Sequence, residues 1–441
     1  MASGGRKDNK KNESDSGLKT AGIVLGATAA TAIGVGLLSW GMKKLFSEER
    51  EPETSHSSDY AWDESKLRES AVGDYSGSAM STGLLKTVEN SPQDEGITFQ
   101  PDESKPLADN LEKYFKEVVT INEDDRRSAK EVVEKIKNAA RKFFKDNFPS
   151  KPLGDFQHKG SSYEGLKVIS PNEYDITMPL KMKSHLWEIV EPDHVQNLDG
   201  FRMVKRINLK QFPLGSSPWD EYLTANEILS PAKVYQQFQS YLDKFLLRCS
   251  DVLIYTIRRS KTGPAITLNV SYGEQKLDID LVPEVEINHI PLVAKQHPMV
   301  KREGGEQYAH LWARSYSLKE KELFKTIDVG DGCRRKCLKI IKAIFYYNRS
   351  QFKILSSYHV KTIIMGMSED EDWRQRCLAE RFIDVIISLR DHLDDGDLPH
   401  HFDPSVNLLK YIKQDAKYNV KCFLNKVINR GNYIELLKSN L

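Results

Sequence analysis

Cysteines are scarce in this sequence and form no pattern. The five cysteines are an odd number, scattered along 441 residues as Cys249, Cys333, Cys337, Cys377 and Cys422. No cleavable signal peptide is recognisable, so we expect reduced thiols in a domain that faces the cytosol. The close pair Cys333 and Cys337 lacks the spacing and partners of a zinc site, which favours thiols packed in a helix.

An excess of charge is also missing. The 64 Lys and Arg residues nearly balance the 63 Asp and Glu residues, and the formal net charge is +1. This balance excludes a global polyanion-binding surface, and a nucleic-acid site, which the sequence does not indicate, would have to be local. The length predicts two lobes, or one domain with extensions.

Long apolar runs are absent, with one exception near the N-terminus. After a polar tail (residues 1–20), residues 21–42 carry no charge and would span about 33 Å as a helix, enough to cross a bilayer core. Trp40 and the pair Lys43–Lys44 lie at one edge, as interfacial anchors do. Because the run is only moderately apolar and has basic flanks, we expect a transmembrane anchor of the mitochondrial outer membrane. A G-x-x-x-G spacing in the run is compatible with helix pairing, which leaves a homodimer open.

Residues 43–105 are acidic, rich in serine and poor in apolar residues, and this composition predicts a disordered tether. Residues 106–300 then predict an α/β lobe. From Asp125 to Phe148, apolar residues recur at three- and four-residue spacing, as in a long amphipathic helix whose basic outer face is solvated. Period-two alternation predicts strands at Leu253–Ile257, Ala265–Val270 and Lys276–Val282.

From Lys301 onward the apolar pattern is helical and stays so to the end of the chain. Residues 301–441 therefore form a predicted helical lobe. Its three clearest helices are predicted at 333–347, 376–393 and 419–437.

The run GSSYEGLKVISPNEYD, residues 160–175, carries the chemistry of the sequence. Residues i and i+2 of a strand point to the same face, so Glu173 and Asp175 would lie side by side. Two close carboxylates repel each other unless a cation lies between them. Mg²⁺ (or Mn²⁺), bound together with substrate phosphates, is the expected cation.

A second pair of acids, Asp278 and Asp280, lies on the strand predicted at Lys276–Val282. A third carboxylate on a neighbouring strand completes the usual two-metal arrangement. The alternative is that these acids only keep an edge strand soluble. Same-face geometry permits either Asp278 or Asp280 as the third ligand.

Five runs of the sequence resemble cyclic GMP-AMP synthase and its relatives in the nucleotidyltransferase superfamily. They are GSSYEGLKVISPNEYD (160–175), LSPAKVYQQF (229–238), KLDIDLVPEVEI (276–287), CRRKCLKIIKAI (333–344) and SSYHVK (356–361). The resemblance implies a bilobed α/β + α nucleotidyltransferase fold, in which a mixed β-sheet lobe with a long spine helix adjoins a C-terminal helical lobe.

The same resemblance implies a role for individual residues. Gly160 and Ser161 would hold a triphosphate, and Lys342 and Ser357 would contact nucleotide phosphate. Tyr358 would stack on a base. The three catalytic, metal-binding carboxylates would be Glu173, Asp175 and Asp278.

A narrower branch, the mitochondrial dynamics proteins, is matched better still. The matching runs are VKRINLKQFPLGSSPWDEY (204–222), LVAKQH (292–297), DGCRRKCLKIIKAI (331–344) and LPHHFDPSVNLL (398–409). This likeness implies an outer-membrane adaptor whose C-terminal domain faces the cytosol, binds a purine nucleoside diphosphate (ADP or GDP) and recruits a dynamin-related fission GTPase. The recruiting loop would contain Arg206, Asn208, Gln211, Phe212 and Pro213, although Phe212-Pro213 also fits a simple turn with a packed aromatic.

The sequence departs from both relatives. The vertebrate adaptors have lost the catalytic acids that this chain keeps, and the synthase's zinc insertion is missing before Cys333. The arginine that both relatives place after the tryptophan at Trp312 is Ala313 here, with Arg314 one residue later.

The sequence and its resemblances leave two functions: a fission adaptor whose nucleotide pocket is a ligand site, or an active Mg-dependent nucleotidyltransferase that makes a cyclic dinucleotide from ATP and GTP in innate immune signalling.

Overall fold

The computed structural model describes residues 98–192, 195, 198–208, 217–260, 265–301, 304–369 and 371–438. Within these residues, no helix combines the length and the apolar character that crossing a bilayer requires. The predicted anchor at 21–42 and the greater part of the predicted tether lie outside the described residues.

The folded part begins earlier than the sequence predicts. Phe99, inside the predicted tether, is buried, and its ring meets that of Tyr114 edge-on with the centroids 4.9 Å apart. The Asp102 N–H donates to Oδ1 of Asn110 at 2.8 Å. A single aromatic residue does not alter the polar composition of its segment, which is why composition alone assigned it to the tether.

The described residues form nine α-helices. They are α1 (Leu107–Tyr114), α2 (Glu123–Asn147), α3 (Pro231–Arg248), α4 (Ser317–Ile327), α5 (Arg334–Tyr347), α6 (Arg349–Phe352), α7 (Ser357–Gly366), α8 (Leu378–Asp395) and α9 (Gln414–Arg430). The long spine helix α2 is confirmed, and the Asn122 side chain caps it by accepting the N–H groups of Asp124 and Asp125.

Nine of the described strands form one mixed sheet. They are β1 (Gln157–Lys159), β2 (Glu173–Leu180), β3 (Trp187–Val190), β4 (Phe201–Arg206), β5 (Thr256–Arg259), β6 (Ile266–Tyr272), β7 (Gln275–Ile287), β8 (Ile290–Val293) and β9 (Leu311–Arg314). The order is β1-β2-β7-β8-β9-β4-β3, and the β5–β6 hairpin joins at β7. The pairing of β2 with β7 is parallel, whereas the other pairings are antiparallel.

Two large apolar cores hold the two lobes. In the first, α2 and α3 cover the sheet through residues such as Ile136, Phe144 and Phe238, which pack with Ile176 and Ile279. The second core lies among α4 to α9. It also takes in residues that precede the sheet in the chain: Phe99, Leu111, Tyr114, Val118 and Val119.

The helical pattern predicted from Lys301 onward is wrong at three short strands. β9 joins the large sheet, and β10 (Pro399–His400) pairs with β11 (Asp403–Asn407) in a separate hairpin. The first helix after the sheet therefore begins only at Ser317. β9 is too short to show a period of its own, and it pairs with β8 and with β4, which lies far earlier in the sequence.

Two other predicted elements have different bounds. The strand predicted at Leu253–Ile257 begins at Thr256, because a 3₁₀ turn over Ser250–Val252 leaves Leu253 and Ile254 exposed. The helix predicted at 419–437 is two elements. Gly431, with φ +61°, ends α9 in a left-handed cap, and a 3₁₀ helix follows over Tyr433–Leu437.

Candidate nucleotide and metal site

Two parallel strands bring three carboxylates together. β2 and β7 pair in a register that sets Glu173 opposite Asp278 and Asp175 opposite Asp280. One carboxylate oxygen from each of Glu173, Asp175 and Asp280 lies within 4.8 Å of the others. The acidic cluster, as we name these three residues, therefore joins both predicted acid pairs.

Asp280, and not Asp278, is the third member of the acidic cluster, which corrects the choice that the family resemblance implied. Asp175 lies directly opposite buried Asp280, whereas Asp278 lies two residues nearer the start of β7 and is half-buried. The Asp278 Oδ1 accepts a hydrogen bond from Nδ2 of Asn269 at 2.6 Å. Of the two acids that same-face geometry permits as the third ligand, the structure thus selects Asp280.

The electrostatics of the cluster favour a bound cation. Burial raises the pKa of Asp175 well above its usual range, and the charges of Glu173 and Asp280 raise it further. Lys167 Nζ forms an ion pair with Glu173 Oε2 at 2.9 Å, which offsets part of this repulsion. Crowded carboxylate oxygens are the ligands that Mg²⁺ and Mn²⁺ prefer, so the residues fit a divalent cation.

Gly160 is required where the chain turns beside the acidic cluster. Its φ is +79°, and a Cβ on it would overlap Oδ2 of Asp175. The following turn is held by the Ser162 hydroxyl, which donates to the Glu173 carbonyl at 2.6 Å. Ser161, the predicted triphosphate contact, is half-buried in this turn and accepts the Leu166 N–H at 2.8 Å through its carbonyl.

Lys342 reaches the same site from the helical lobe. It lies on α5, and its Nζ donates to the Leu166 carbonyl at 3.4 Å. Burial and the nearby Lys167 lower the pKa of Lys342 to about 8, while Glu173 and Asp175 act in the opposite direction. The predicted phosphate contact therefore lies in the field of the acidic cluster.

Ser357 and Tyr358 begin α7. Ser357 is half-buried at the first helical position, where backbone N–H groups point out of the helix. The Tyr358 hydroxyl donates to Glu320 Oε1 at 2.6 Å and lies 2.6 Å from His400 Nε2. The predicted base-stacking ring is thus held in place by hydrogen bonds from its hydroxyl end.

A buried lysine that the sequence did not single out connects the two lobes. Lys361 Nζ lies 2.8 Å from Glu164 Oε2 and 2.7 Å from Glu320 Oε2, and all three side chains are at most 9% exposed. Glu164 belongs to the turn that begins at Gly160, whereas Glu320 lies on α4. We name the two ion pairs of Lys361 with Glu164 and Glu320 the lysine clasp. The sequence signals Lys361 only by its position in SSYHVK, which does not reveal its partners.

Ala313 is buried within the sheet. It is 3% exposed on β9, opposite Phe201 and Val293. Arg314, the next residue, places its guanidinium carbon 5.1 Å from the centroid of the Tyr316 ring.

The predicted recruiting loop is only partly described. Arg206 is 4% exposed and pairs with Asp220 and Glu227, so it is a structural residue and not the exposed contact that the resemblance implied. Two carboxylates from a neighbouring segment draw it inward, which its position in the sequence does not show. Asn208 is exposed, with φ +56°, and donates to the His185 carbonyl at 2.6 Å. Gln211, Phe212 and Pro213 lie outside the described residues.

Two family models match the chain. The C-terminal domain of the MID51-like mitochondrial dynamics proteins matches residues 125–320, and the HhH/H2TH-like domain of Mab-21 proteins matches residues 333–425. Together with the relatives below, these matches support a mitochondrial dynamics protein within the cyclic GMP-AMP synthase-like nucleotidyltransferase family. Its mixed sheet and helices are consistent with a nucleotidyltransferase-like fold.

Individual MID51-like relatives and a synthase agree with this assignment. The chain is 31% identical over 309 residues to mitochondrial dynamics protein MID51 of Danio rerio, which covers 69% of this chain and 65% of that protein. Against MID49 of Xenopus laevis the identity is 28% over 313 residues, 70% of this chain and 66% of the relative. The cyclic GMP-AMP synthase of Mus musculus is 24% identical over 368 residues, 74% of this chain and 70% of the synthase. The match thus spans just under two thirds of the first two relatives.

Proposed function

We propose that this protein is a mitochondrial outer-membrane adaptor that promotes fission by recruiting a dynamin-related GTPase. The observation that carries the proposal is the match of residues 125–320 to the MID51-like domain. The predicted order of anchor, tether and domain supports the same function. The domain would face the cytosol, where the GTPase is available.

The site would serve this adaptor as a nucleotide pocket. Lys342 and the turn at Gly160–Ser161 approach the acidic cluster from two lobes, so a purine nucleotide with its phosphates at the cluster would contact both. Lys342 would meet phosphate oxygens, and Tyr358 would face the base. A nucleotide bound in this way would stabilise the lobes in one arrangement, because it binds only where both are in place.

The acidic cluster favours a second function, transfer of a nucleotidyl group. A pocket that only binds a nucleoside diphosphate has no need of three clustered carboxylates. When bound, a divalent cation would activate a ribose hydroxyl and neutralise the leaving pyrophosphate. The residues of the chain would hold the ligands in place: Thr267 donates its hydroxyl to Asp280 Oδ1 at 2.5 Å, and Lys167 orients Glu173.

One pair of variants tests both functions in the full chain. Wild type and Glu173→Ala/Asp175→Ala are expressed in cells, and mitochondrial length is scored. The adaptor function predicts that the wild-type chain lies on mitochondria and changes their length. A diffuse or reticular-membrane distribution of the intact chain would contradict it.

The purified full chain is then incubated with ATP and GTP in Mg²⁺ or Mn²⁺, with and without double-stranded RNA or DNA. A cyclic dinucleotide that disappears in the double variant supports the transferase. Retained ADP binding by calorimetry, without product under any condition, rejects the transferase and leaves the adaptor. Asp278→Ala is the control, because it removes an acid from the neighbouring strand β7 that lies outside the acidic cluster.

A further inference from the structure

Three large apolar side chains are exposed together at the end of α3. Leu247 is 85% exposed, Leu253 is 74% exposed and Ile254 is 76% exposed. These three residues, which we name the apolar tip, lie within eight positions of one another. Single exposed apolar residues are ordinary, but a local group of them marks an interaction surface.

The core beneath the apolar tip is already filled. Phe245 and Val252, which are neighbours of the tip residues in the chain, are buried in the sheet-lobe core. The turn over Ser250–Tyr255 is held by two hydrogen bonds: the Leu253 N–H donates to the Ser250 carbonyl at 3.2 Å, and the Tyr255 N–H donates to the Val252 carbonyl at 3.0 Å. A rotation that buried Leu253 would have to expose Val252, so the tip is displayed on a fixed support.

Exposed basic residues lie close to the apolar tip in the sequence. Lys244, Arg248 and Arg258 are exposed, and within the described part of the chain no ion pair involves them. Lys244 precedes Leu247 by three residues on α3, and its Nζ lies 5.6 Å from the centroid of the Phe148 ring. Nearby Arg259 is neutralised by Asp243 at 2.6 Å, and Asp251 is the exposed acid of the turn. The surface therefore combines apolar contact with a local excess of positive charge.

We propose that the apolar tip docks on an anionic lipid surface. Leu247, Leu253 and Ile254 would enter the boundary between headgroups and acyl chains, while the three basic residues would meet lipid phosphates. A nucleic-acid backbone would satisfy the charges but leave the apolar side chains without partners. A second copy would bring like charges together. The inference rests on the membrane location of the proposed function and adds a second contact besides the predicted anchor.

Hydrogen–deuterium exchange of the full chain in lipid nanodiscs tests the inference. Nanodiscs of phosphatidylcholine alone are compared with nanodiscs that also contain phosphatidylserine. We expect slower exchange in peptides that cover residues 247–258 when phosphatidylserine is present. Loss of one basic side chain should weaken the contact about fivefold, as expected for a cation near an anionic surface.

Leu253→Asp/Ile254→Asp and Arg248→Glu should remove the protection, whereas Val329→Asp, which changes an exposed apolar residue elsewhere, should leave it unchanged. Unaltered exchange in β7 shows that each variant is folded. Equal exchange in both nanodiscs, with the chain still inserted, overturns the inference without touching the proposed anchor. Protection in detergent that grows with protein concentration also overturns it, because a second copy then covers the tip.

Discussion

At the scale of single residues, the register between β2 and β7 decides which acid completes the site. We predict that Asp280→Asn weakens binding of Mn²⁺ by at least about tenfold, the loss seen even for residues one shell away from a metal. The amide retains an acceptor for the Thr267 hydroxyl, so the fold should be kept. Electron paramagnetic resonance of free Mn²⁺ measures the affinity.

Asp278→Asn is the matched control for this variant. Its amide can still accept from Asn269, and its side chain lies outside the acidic cluster. Equal losses in the two variants would refute the assignment of Asp280.

A second residue-scale prediction concerns Gly160. A left-handed backbone alone costs an L residue about 1–2 kcal/mol. Gly160→Ala should lower the free energy of unfolding by more than this, because the added Cβ would also overlap Asp175. Gly165→Ala has the same backbone problem, at φ +72°, but no atom within 4 Å of the added Cβ. Urea unfolding of both variants separates the cost of the overlap with Asp175 from the cost of the left-handed backbone. Identical losses would mean that Asp175 simply moves away.

The acids themselves could be predicted from the sequence, but not their grouping. Alternation marks Glu173 and Asp175 as neighbours, because that relation is local to one strand. The choice between Asp278 and Asp280 depends on how strands a hundred residues apart are aligned, which no local pattern contains. The burial of Arg206 could not be predicted for the same reason, since its partners Asp220 and Glu227 come from a later segment of the chain.

At the scale of elements, the start of α7 depends on a neutral histidine. His359 Nδ1 accepts the Ser356 N–H at 2.9 Å, and burial lowers the pKa of His359 to about 4. Its contribution to stability is therefore complete above the unfolded pKa of about 6.5 and is lost as the pH falls toward 4. We predict that wild type loses about 3 kcal/mol more unfolding free energy than His359→Gln over this range.

Chemical unfolding at a series of pH values measures the difference. His289→Gln, at a fully exposed histidine, is the control and should follow the wild-type profile. If His359→Gln and wild type fall in parallel, protonation of another group dominates.

A second prediction at this scale concerns the lysine clasp between the Gly160 turn and α4. Lys361→Met should destabilise the protein by about 3–5 kcal/mol, because it leaves the carboxylates of Glu164 and Glu320 buried without a cation. Lys421→Met, which breaks an exposed pair with Asp394, should hardly move the unfolding midpoint. Thermal unfolding compares the two, and a small loss in Lys361→Met would show that the carboxylates become protonated instead.

Long elements were predicted better than short ones. α2 shows seven turns of its period and was found within a few residues, whereas β9 has four residues and gave no signal. Leu253 and Ile254 are exposed, although the period-two alternation over Leu253–Ile257 predicts that they belong to a strand. Here a tight 3₁₀ turn prevents the pairing.

At the scale of the whole molecule, the proposed adaptor would depend on the membrane anchor predicted at residues 21–42. We predict that deletion of residues 21–42 releases the chain into the cytosol and abolishes its effect on mitochondrial length. An unrelated outer-membrane anchor of the same orientation, placed before residue 43, should restore both. Microscopy with length measurement checks this, and a deleted chain that stays on mitochondria would show that another part of the protein targets it.

The path of the chain between the two cores has a consequence for how the protein reaches its native state. Five early residues belong to the core of the helical lobe: Phe99, Leu111, Tyr114, Val118 and Val119. Apart from Leu166 and Val168 near the Gly160 turn, the other buried members of this core begin only at Phe324. Completing that core requires the closure of a loop of about two hundred residues, and such distant contacts make folding slow. During synthesis on a ribosome, α1 remains exposed until the last third of the chain emerges. The helical lobe is therefore not an independent module, and neither lobe can be transplanted alone into another protein by a single cut.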